Sequence, residues 1–253
     1  MMKTTTTKPT QSRPGPGPVP VVLIRHAQSQ WNRENRFTGW ADPPLTGAGI
    51  AEAHAAGKLL REQGFVFDAA YSSRLQRAVT TLDILLAELG QDGIPRTRAW
   101  QLNERHYGAL QGLDKGEATA RHGEQQVWRW RRGYHDRADA LSREDARHSC
   151  HDPLCHDIDP AHLPDVENLA QTRERVMRYW NDEIVPRIRQ GERLLISAHG
   201  NTLRALIMVL ANMSVEEVEG FEIPTATPIV YHFNRDGTPL DWQYLEQPDH
   251  QAA

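Results

Sequence analysis

The chain has little of what marks secreted, membrane and nucleic-acid-binding proteins. Its only cysteines are Cys150 and Cys155, too few for a disulfide framework, which favours a cytoplasmic location. The formal net charge of -4 excludes a global basic field, so we expect neither nucleic acid nor a membrane as a partner. The longest apolar run, residues 203–213, is short and contains Arg204, so we expect no transmembrane helix.

The composition is that of one globular domain behind a polar leader. Residues 1–18 are rich in Thr, Pro and Gly and lack the apolar centre of a signal peptide, so we predict a disordered leader. Residues 19–253 suit a single catalytic domain that can bury a full core. Within it, residues 135–164 show no hydrophobic period and predict an irregular surface insertion.

Short apolar runs alternate with helical periodicity along the chain. The predicted strands are residues 19–24, 65–72, 193–198 and 229–233. Thr46 is expected to cap a helix with Ile50, Ala53, Gly57 and Leu60 on its buried stripe. Further helices are predicted over residues 75–89, 128–132, 169–184 (ended by Pro186) and 203–210. This alternation favours an α/β class, a three-layer α/β/α fold with a mostly parallel central sheet.

Two histidines follow two of the predicted strands. Arg25 and His26 end the first strand, and His199, Gly200 and Asn201 follow residues 193–198. Ligands of such folds bind at the carboxyl ends of the strands. If these strands are neighbours, we expect both histidines in one pocket, with backbone N–H groups of the following helices available to an anion.

The residue types at these strand ends suit phosphoryl transfer. A neutral imidazole such as His26 can attack phosphorus, and Arg25 offers a planar set of donors for phosphate. Transfer of this kind depends mainly on positioning and charge stabilisation. Glu104 is the best carboxylate for exchanging a proton with a substrate hydroxyl. We therefore expect a phosphohistidine enzyme.

An ordered set of motifs narrows this expectation. Residues 25–32 read Arg-His-Ala-Gln-Ser-Gln-Trp-Asn, and Phe-Thr-Gly-Trp follows at residues 37–40. The further motifs are residues 73–78, residues 102–112 with Lys115, the pair Arg131 and Arg132, and residues 198–204, 223–225 and 228–231. From about residue 21 to 233 this order resembles the histidine phosphatase superfamily, in its phosphoglycerate mutase branch. The stretch 103–115 is the one that separates mutases from general phosphatases.

The resemblance implies roles for individual residues. His26 would accept the phosphoryl group, Glu104 would be the general acid and base, and three side chains would bind the group in flight: Arg25, Arg77 and His199. The phosphate pocket would include Asn32, Thr38, Gly39, Gly200 and Asn201. Gln28 and Ser29 would also belong to the substrate-binding residues. The substrate carboxylate and a second phosphate would be held by Tyr107, Lys115, Arg131 and Arg132.

The resemblance also implies a reaction. The enzyme would interconvert 3-phosphoglycerate and 2-phosphoglycerate in glycolysis and gluconeogenesis, with 2,3-bisphosphoglycerate priming His26. No metal is expected, because Arg and His supply the charge that a divalent ion supplies elsewhere. A homodimer or larger homo-oligomer is expected.

Some positions depart from the family pattern and leave alternatives open. Ala27 and Ala226 stand where Gly is usual, and Asn168 stands where Ser is usual. The tail after Tyr244 is short, which could leave the pocket wetter and favour hydrolysis over transfer. The alternatives are a histidine phosphatase acting on small phosphometabolites and a catalytically weakened phosphometabolite-binding protein.

Two other clusters invite functional interpretations. The residues His148, Cys150, His151, Cys155 and His156 could suggest a metal site, but structural zinc sites have shorter paired spacings, so we expect an irregular loop. Trp128 and Trp130 are expected to pack in a helix, because no basic stripe accompanies them as in a base-stacking platform.

Overall fold

A computed structural model of the chain describes residues 17–245. Apart from residues 17 and 18, the predicted leader lies outside this range, as do the last residues of the short tail. The strands are β1 (Val19–Arg25), β2 (Ala69–Ser72), β3 (Arg96–Arg98), β4 (Leu194–Ala198), β5 (Pro228–Phe233) and β6 (Pro239–Tyr244). The α-helices are α1 (Gln30–Arg33), α2 (Gly47–Glu62), α3 (Gln76–Leu89), α4 (Lys115–His122), α5 (Glu124–Arg132), α6 (Leu169–Tyr179), α7 (Val185–Arg189), α8 (Gly200–Leu210) and α9 (Val215–Gly220). No helix within residues 17–245 has both the length and the apolar character needed to cross a bilayer.

The six strands form one sheet in the order β3-β2-β4-β1-β5-β6. The pairings β2–β3, β2–β4 and β1–β4 are parallel, whereas β5 runs antiparallel to β1 and β6. The predicted mostly parallel sheet is therefore confirmed. The sequence prediction missed β3, whose three residues are all exposed, and β6, which directly precedes the predicted tail.

Helices cover both faces of the sheet. Along β1, Val21 and Leu23 pack into one apolar cluster with buried residues of α6 and α8. The alternate residues Val22 and Ile24 pack into a second cluster with α2 and α3. Because successive side chains of a strand point to opposite faces, these two cores confirm the three-layer α/β/α arrangement.

Two helices differ from their predictions. In α2, Ala53, Gly57 and Leu60 are buried as expected, but Ile50 is 41% exposed, because Gly49 faces the core beside the Gln28 carbonyl instead. The predicted end at Pro186 is also wrong. A π-helical turn over Trp180–Ile184 leads directly into α7, which contains this proline. A widened turn accommodates a residue that has no N–H to donate.

The segment 135–164 is irregular but attached to the body of the domain. It contains short 3-10 turns at Ser149–His151, Pro153–Cys155 and Pro160–His162. Its buried residues Cys155, Ile158 and Leu163 pack against Trp40 and Trp100. The segment thus covers the loop that precedes α2 and the turn that follows β3.

The two tryptophans of α5 have different environments. Trp130 packs against His122, with ring centroids 5.0 Å apart, and joins a small core around Phe37. Trp128 is 47% exposed, so the prediction that it packs in a helix interface is wrong. Three arginines at the end of α5 leave Trp128 on the polar side of a strongly charged helix.

Candidate active site

The first site element is a pair of histidines at adjacent strand ends. Arg25 of β1 is in register with Ala198 of β4, and the backbone N–H of His26 donates to the Ala198 carbonyl at 2.9 Å. His199 follows β4 directly, so its ring meets that of His26 edge to face, with centroids 5.0 Å apart. The parallel neighbours β1 and β4 therefore bring together two residues that are far apart in sequence.

Hydrogen bonds fix the neutral form of His26. Its Nδ1 lies 2.7 Å from the Ala27 carbonyl, which can only accept, so Nδ1 carries the proton. On the other side, Arg77 Nε donates to His26 Nε2 at 3.3 Å. Burial, together with the nearby Arg77 and Arg25, lowers the pKa of His26 well below its usual value. Nε2 is therefore unprotonated at neutral pH, and its lone pair accepts from Arg77.

Arg77 is a fully buried cation held by carbonyl groups. Its Nη1 donates to the Ala41 carbonyl at 2.8 Å and its Nη2 to the Gly39 carbonyl at 2.9 Å. Burial lowers its pKa to about 10, so the guanidinium remains charged at neutral pH. Gly39 has φ +55, and a Cβ there would lie 2.9 Å from Gln111 Oε1, so this turn requires glycine.

Arg25 supplies a second cation with an unused donor. Its Nη1 donates to the Ile223 carbonyl at 2.7 Å, while its buried Nε has no hydrogen-bond partner among the described residues. A Cβ built on Gly200 would lie 3.6 Å from that Nε, so the guanidinium borders the first turn of α8. An unpaired buried donor on a cation, beside a helix N-terminus, is suited to an anion.

Like His26, His199 is buried. Its Nε2 lies 2.7 Å from Ser73 Oγ, and its buried Nδ1 has no partner in the described part of the chain. Burial first, then Arg77 and His26, lowers its pKa well below the usual value. The ring is therefore neutral at neutral pH.

The carboxylate of Glu104 lies at the N-terminus of α8. Its Oε1 accepts from the backbone N–H of Arg105 at 2.8 Å and from that of Asn201 at 3.1 Å. The carboxylate also faces the same pocket as His26. These two N–H groups orient the carboxyl group and leave part of its acceptor capacity for a substrate hydroxyl.

A further group of polar and basic side chains lines the same pocket. The phenol oxygen of Tyr107 accepts from Asn201 Nδ2 at 3.1 Å and from Arg105 at 3.5 Å. Burial alone would raise the pKa of Tyr107, but Arg105 and other nearby cations lower it below its usual value. Burial, followed by Arg131 and Arg25 among the cations, lowers the pKa of Lys115.

Most of the predicted site residues line this one pocket. They are Arg25, His26, Asn32, Thr38, Arg77, Glu104, Tyr107, Lys115, Arg131, Arg132, Gly200 and Asn201. His199 is not among these lining residues but packs edge to face against His26, and the carbonyl of Gly39 accepts from Arg77. Gln28 and Ser29 are not among the residues that line this pocket, and their predicted substrate contacts stay predictions. Gln28 accepts from the hydroxyl of Thr46, and the buried Ser29 caps α1.

The structure adds four lining residues for which no role was predicted: Arg36, Arg204, Glu222 and Ile223. Arg204 belongs to the motif at residues 198–204 and donates to Asn201 Oδ1 at 2.9 Å. Glu222 forms an ion pair with Arg132. No periodicity or motif signalled Glu222, since it precedes the Ile-Pro-Thr motif by one position.

The departures from the family pattern have different structural consequences. Among the described residues, positive φ outside glycine occurs at Asn35, Asn212 and Ala226, and not at Ala27. Ala27 is therefore not strained in the way that would have required glycine. Ala226 has φ 50, which costs an alanine free energy that a glycine would not lose. Asn168 is the N-cap of α6, where its side chain accepts from the backbone N–H of Gln171.

The His- and Cys-containing segment uses its side chains locally. His148 Nε2 lies 3.0 Å from Asp165 Oδ1, and His151 Nε2 donates to the Arg143 carbonyl at 2.8 Å. Burial raises the pKa of Cys155 to about 12, which disfavours the thiolate that metals bind. Across residues 17–245, no three His, Cys, Asp or Glu side chains are grouped so that they could hold a metal ion.

Comparisons with known proteins agree with this geometry. Residues 21–152 and 141–244 match the profile of the histidine phosphatase superfamily (branch 1). The structure is similar to YhfR from Bacillus stearothermophilus, at 23% identity and a TM-score of 0.65, over 87% of this chain and 94% of that one. It is also similar to the alpha-ribazole phosphatase from Shigella flexneri (21%, TM-score 0.60, 84% and 89%). The phosphoglycerate mutase from Bacillus anthracis str. Sterne is similar to the same degree (22%, TM-score 0.60, 88% and 91%).

Proposed function

The chain belongs to the histidine phosphatase superfamily, and on that premise we propose that it interconverts 3-phosphoglycerate and 2-phosphoglycerate through a phosphohistidine at His26. The observation that carries the proposal is one pocket with two groups of cations. Arg25 and Arg77 adjoin His26, and a second group, Lys115, Arg131 and Arg132, lines the same space. A substrate with a phosphate and a separate carboxylate would engage both groups.

The chemistry follows from the protonation states of the side chains. His26 Nε2 attacks phosphorus, the new N–P bond forms, and the P–O bond to the substrate breaks. Glu104 acts as the general acid that gives a proton to the leaving oxygen, and in the reverse step as the general base that takes one from the hydroxyl that receives the phosphoryl group. Arg25 and Arg77 balance the charge of the group in flight. The Arg77 Nε that contacts His26 Nε2 must turn toward the phosphoryl oxygens as the attack begins.

The proposed primer is 2,3-bisphosphoglycerate, which supplies a phosphoryl group to His26 when bound. The unpaired Nε of Arg25 fits this role, because it is a buried charged donor that a phosphate oxygen would satisfy. Lys115 and Arg131 would contact the carboxylate and the second phosphate.

A second candidate is hydrolysis of small phosphomonoesters. The observation that favours it is the ion pair of Glu222 with Arg132, which neutralises one cation of the second group. With less positive charge there, the pocket holds a phosphoglycerate less firmly, and water competes better for the phosphohistidine. The phosphatase and the mutase share the formation of the phosphohistidine at His26. They differ in the acceptor of the phosphoryl group, which is water in the phosphatase and a substrate hydroxyl in the mutase.

An enolase-coupled assay on 3-phosphoglycerate, with and without 2,3-bisphosphoglycerate, distinguishes the candidates. Wild type is compared with His26→Ala and with His54→Ala, which removes an exposed histidine on α2 as a control. Bisphosphate-stimulated turnover that only His26→Ala abolishes supports the mutase. Release of phosphate from the bisphosphate without isomerisation would support the phosphatase, and silence in both assays would leave a binding protein.

A further inference from the structure

Glu222 stands out because it is acidic in a basic pocket. The lining holds seven cationic side chains, Arg25, Arg36, Arg77, Lys115, Arg131, Arg132 and Arg204, but only two carboxylates, Glu104 and Glu222. Glu104 is oriented by backbone N–H groups beside His26. Glu222 has a different environment and needs a separate explanation.

The carboxylate of Glu222 engages a cation of the second group. Arg132 Nη2 donates to Glu222 Oε1, and Arg132 Nη1 lies 3.5 Å from the Phe221 carbonyl. The Arg132 side chain is 18% exposed, whereas that of Glu222 is 66% exposed. The carboxylate is therefore the more exposed partner of a largely enclosed guanidinium, and both side chains line the pocket.

The backbone around Glu222 is anchored. The Tyr244 hydroxyl of β6 donates to the Glu222 carbonyl at 3.0 Å, and the next carbonyl, that of Ile223, accepts from Arg25 at 2.7 Å. These contacts fix the origin of the Glu222 side chain beside Arg132. A ligand anion that needs Arg132 must therefore replace this carboxylate or share the guanidinium with it.

We propose that Glu222 is a specificity-determining residue that competes with the distal anionic group of the ligand for Arg132. As a result the pocket binds ligands with a second anionic group, including the proposed primer, less tightly than it would without the Glu222 carboxylate. The inference rests on the proposed function only in assuming that a phosphate group binds beside His26. A second phosphate faces repulsion from Glu222 and loses part of Arg132, whereas a distal hydroxyl can donate to the Glu222 carboxylate.

Equilibrium binding separates this effect from catalysis. Calorimetry on the His26→Ala protein, with and without Glu222→Gln, would use glycerol 3-phosphate, 3-phosphoglycerate and 2,3-bisphosphoglycerate as ligands. Because Glu222 is largely exposed, we expect a moderate effect, with Glu222→Gln tightening the bisphosphate about 10-fold and 3-phosphoglycerate about 3-fold. Glycerol 3-phosphate, which has no distal anion, should change less than about 2-fold. The difference among the three ligands in their response to Glu222→Gln should become smaller as salt is added.

Glu216→Gln is the matched control, because it removes the same charge from an exposed position on α9 outside the pocket. It should leave the order of the three affinities unchanged. If Glu222→Gln shifts all three ligands by the same factor, or shifts none, the proposal is wrong and Glu222 only relieves repulsion among the arginines. Failure of all three ligands to bind in either background would overturn this proposal and the proposed function together.

Discussion

His106 makes the stability of this protein depend on pH. Its ring is fully buried, and its Nδ1 accepts from the Gly108 backbone N–H at 3.0 Å, so the remaining proton is on Nε2. Burial is the main reason that the pKa of His106 falls to about 4, against about 6.5 in an unfolded chain. Between pH 4 and about 6.5, His106 is therefore mostly neutral in the folded state and mostly protonated in the unfolded state. The stabilisation is fully present above pH 6.5 and is lost as the pH falls toward 4.

The size of the effect follows from these two pKa values. At pH 5, the titration of His106 alone lowers the free energy of unfolding by about 2 kcal/mol relative to its value at high pH. This is a large share of the stability of an ordinary domain. The lowered pKa values of His26 and His199 act in the same direction.

Urea unfolding at pH 7 and pH 5, followed by tryptophan fluorescence, measures this loss. His106→Asn can keep an acceptor for the Gly108 N–H and removes the titrating ring, so its loss between pH 7 and 5 should be smaller by about 2 kcal/mol. An unchanged pH dependence in that variant would refute the reasoning.

Three further changes test the site and its support. Arg77→Lys keeps the charge but cannot reach both carbonyls and His26, so kcat should fall about 100-fold in the coupled assay with a smaller effect on KM. Gln111→Met leaves the backbone N–H groups of Trp40 and Ala41 without their acceptor, and urea unfolding should show a loss of about 2–4 kcal/mol. Ala226→Gly relieves a positive φ and should raise the thermal midpoint, with a gain of up to about 1 kcal/mol. An unchanged kcat in Arg77→Lys would contradict the first expectation. An unchanged urea midpoint in Gln111→Met would contradict the second, and an unchanged thermal midpoint in Ala226→Gly the third.

The sequence predicts the ingredients of the site better than their arrangement. The apolar runs before Arg25 and His199 identify two strands whose ends carry chemistry, and the α/β rule places both ends at one edge of a sheet. That β1 and β4 are direct neighbours depends on long-range pairing, which no local pattern contains. The resemblance to a known family implied that His26 and His199 share one site, but the pairing of the two strands comes from the structure.

What escaped prediction was decided by tertiary contacts. β3 is three exposed residues and has no apolar alternation, so only its pairing with β2 makes it a strand. Ile50 and Trp128 lie in predicted helices, yet both side chains are exposed, because helical spacing alone does not show which face the rest of the domain covers. Glu222 is an ordinary acidic residue in sequence and becomes a pocket residue only because Arg132 lies opposite it.

Gln111 shows how a motif residue can act through others. Its Oε1 accepts from Trp40 and Ala41, which orients the loop whose carbonyls hold Arg77, and its Nε2 donates to the Arg147 carbonyl at 3.2 Å. Arg147 in turn donates to the Gln111 carbonyl at 2.9 Å. One buried amide thus joins the irregular segment 135–164 to the cation that contacts His26. Because that loop cannot shift without breaking these hydrogen bonds, the segment is part of what sets the position of Arg77, although its sequence carries no catalytic residue type in a recognisable pattern.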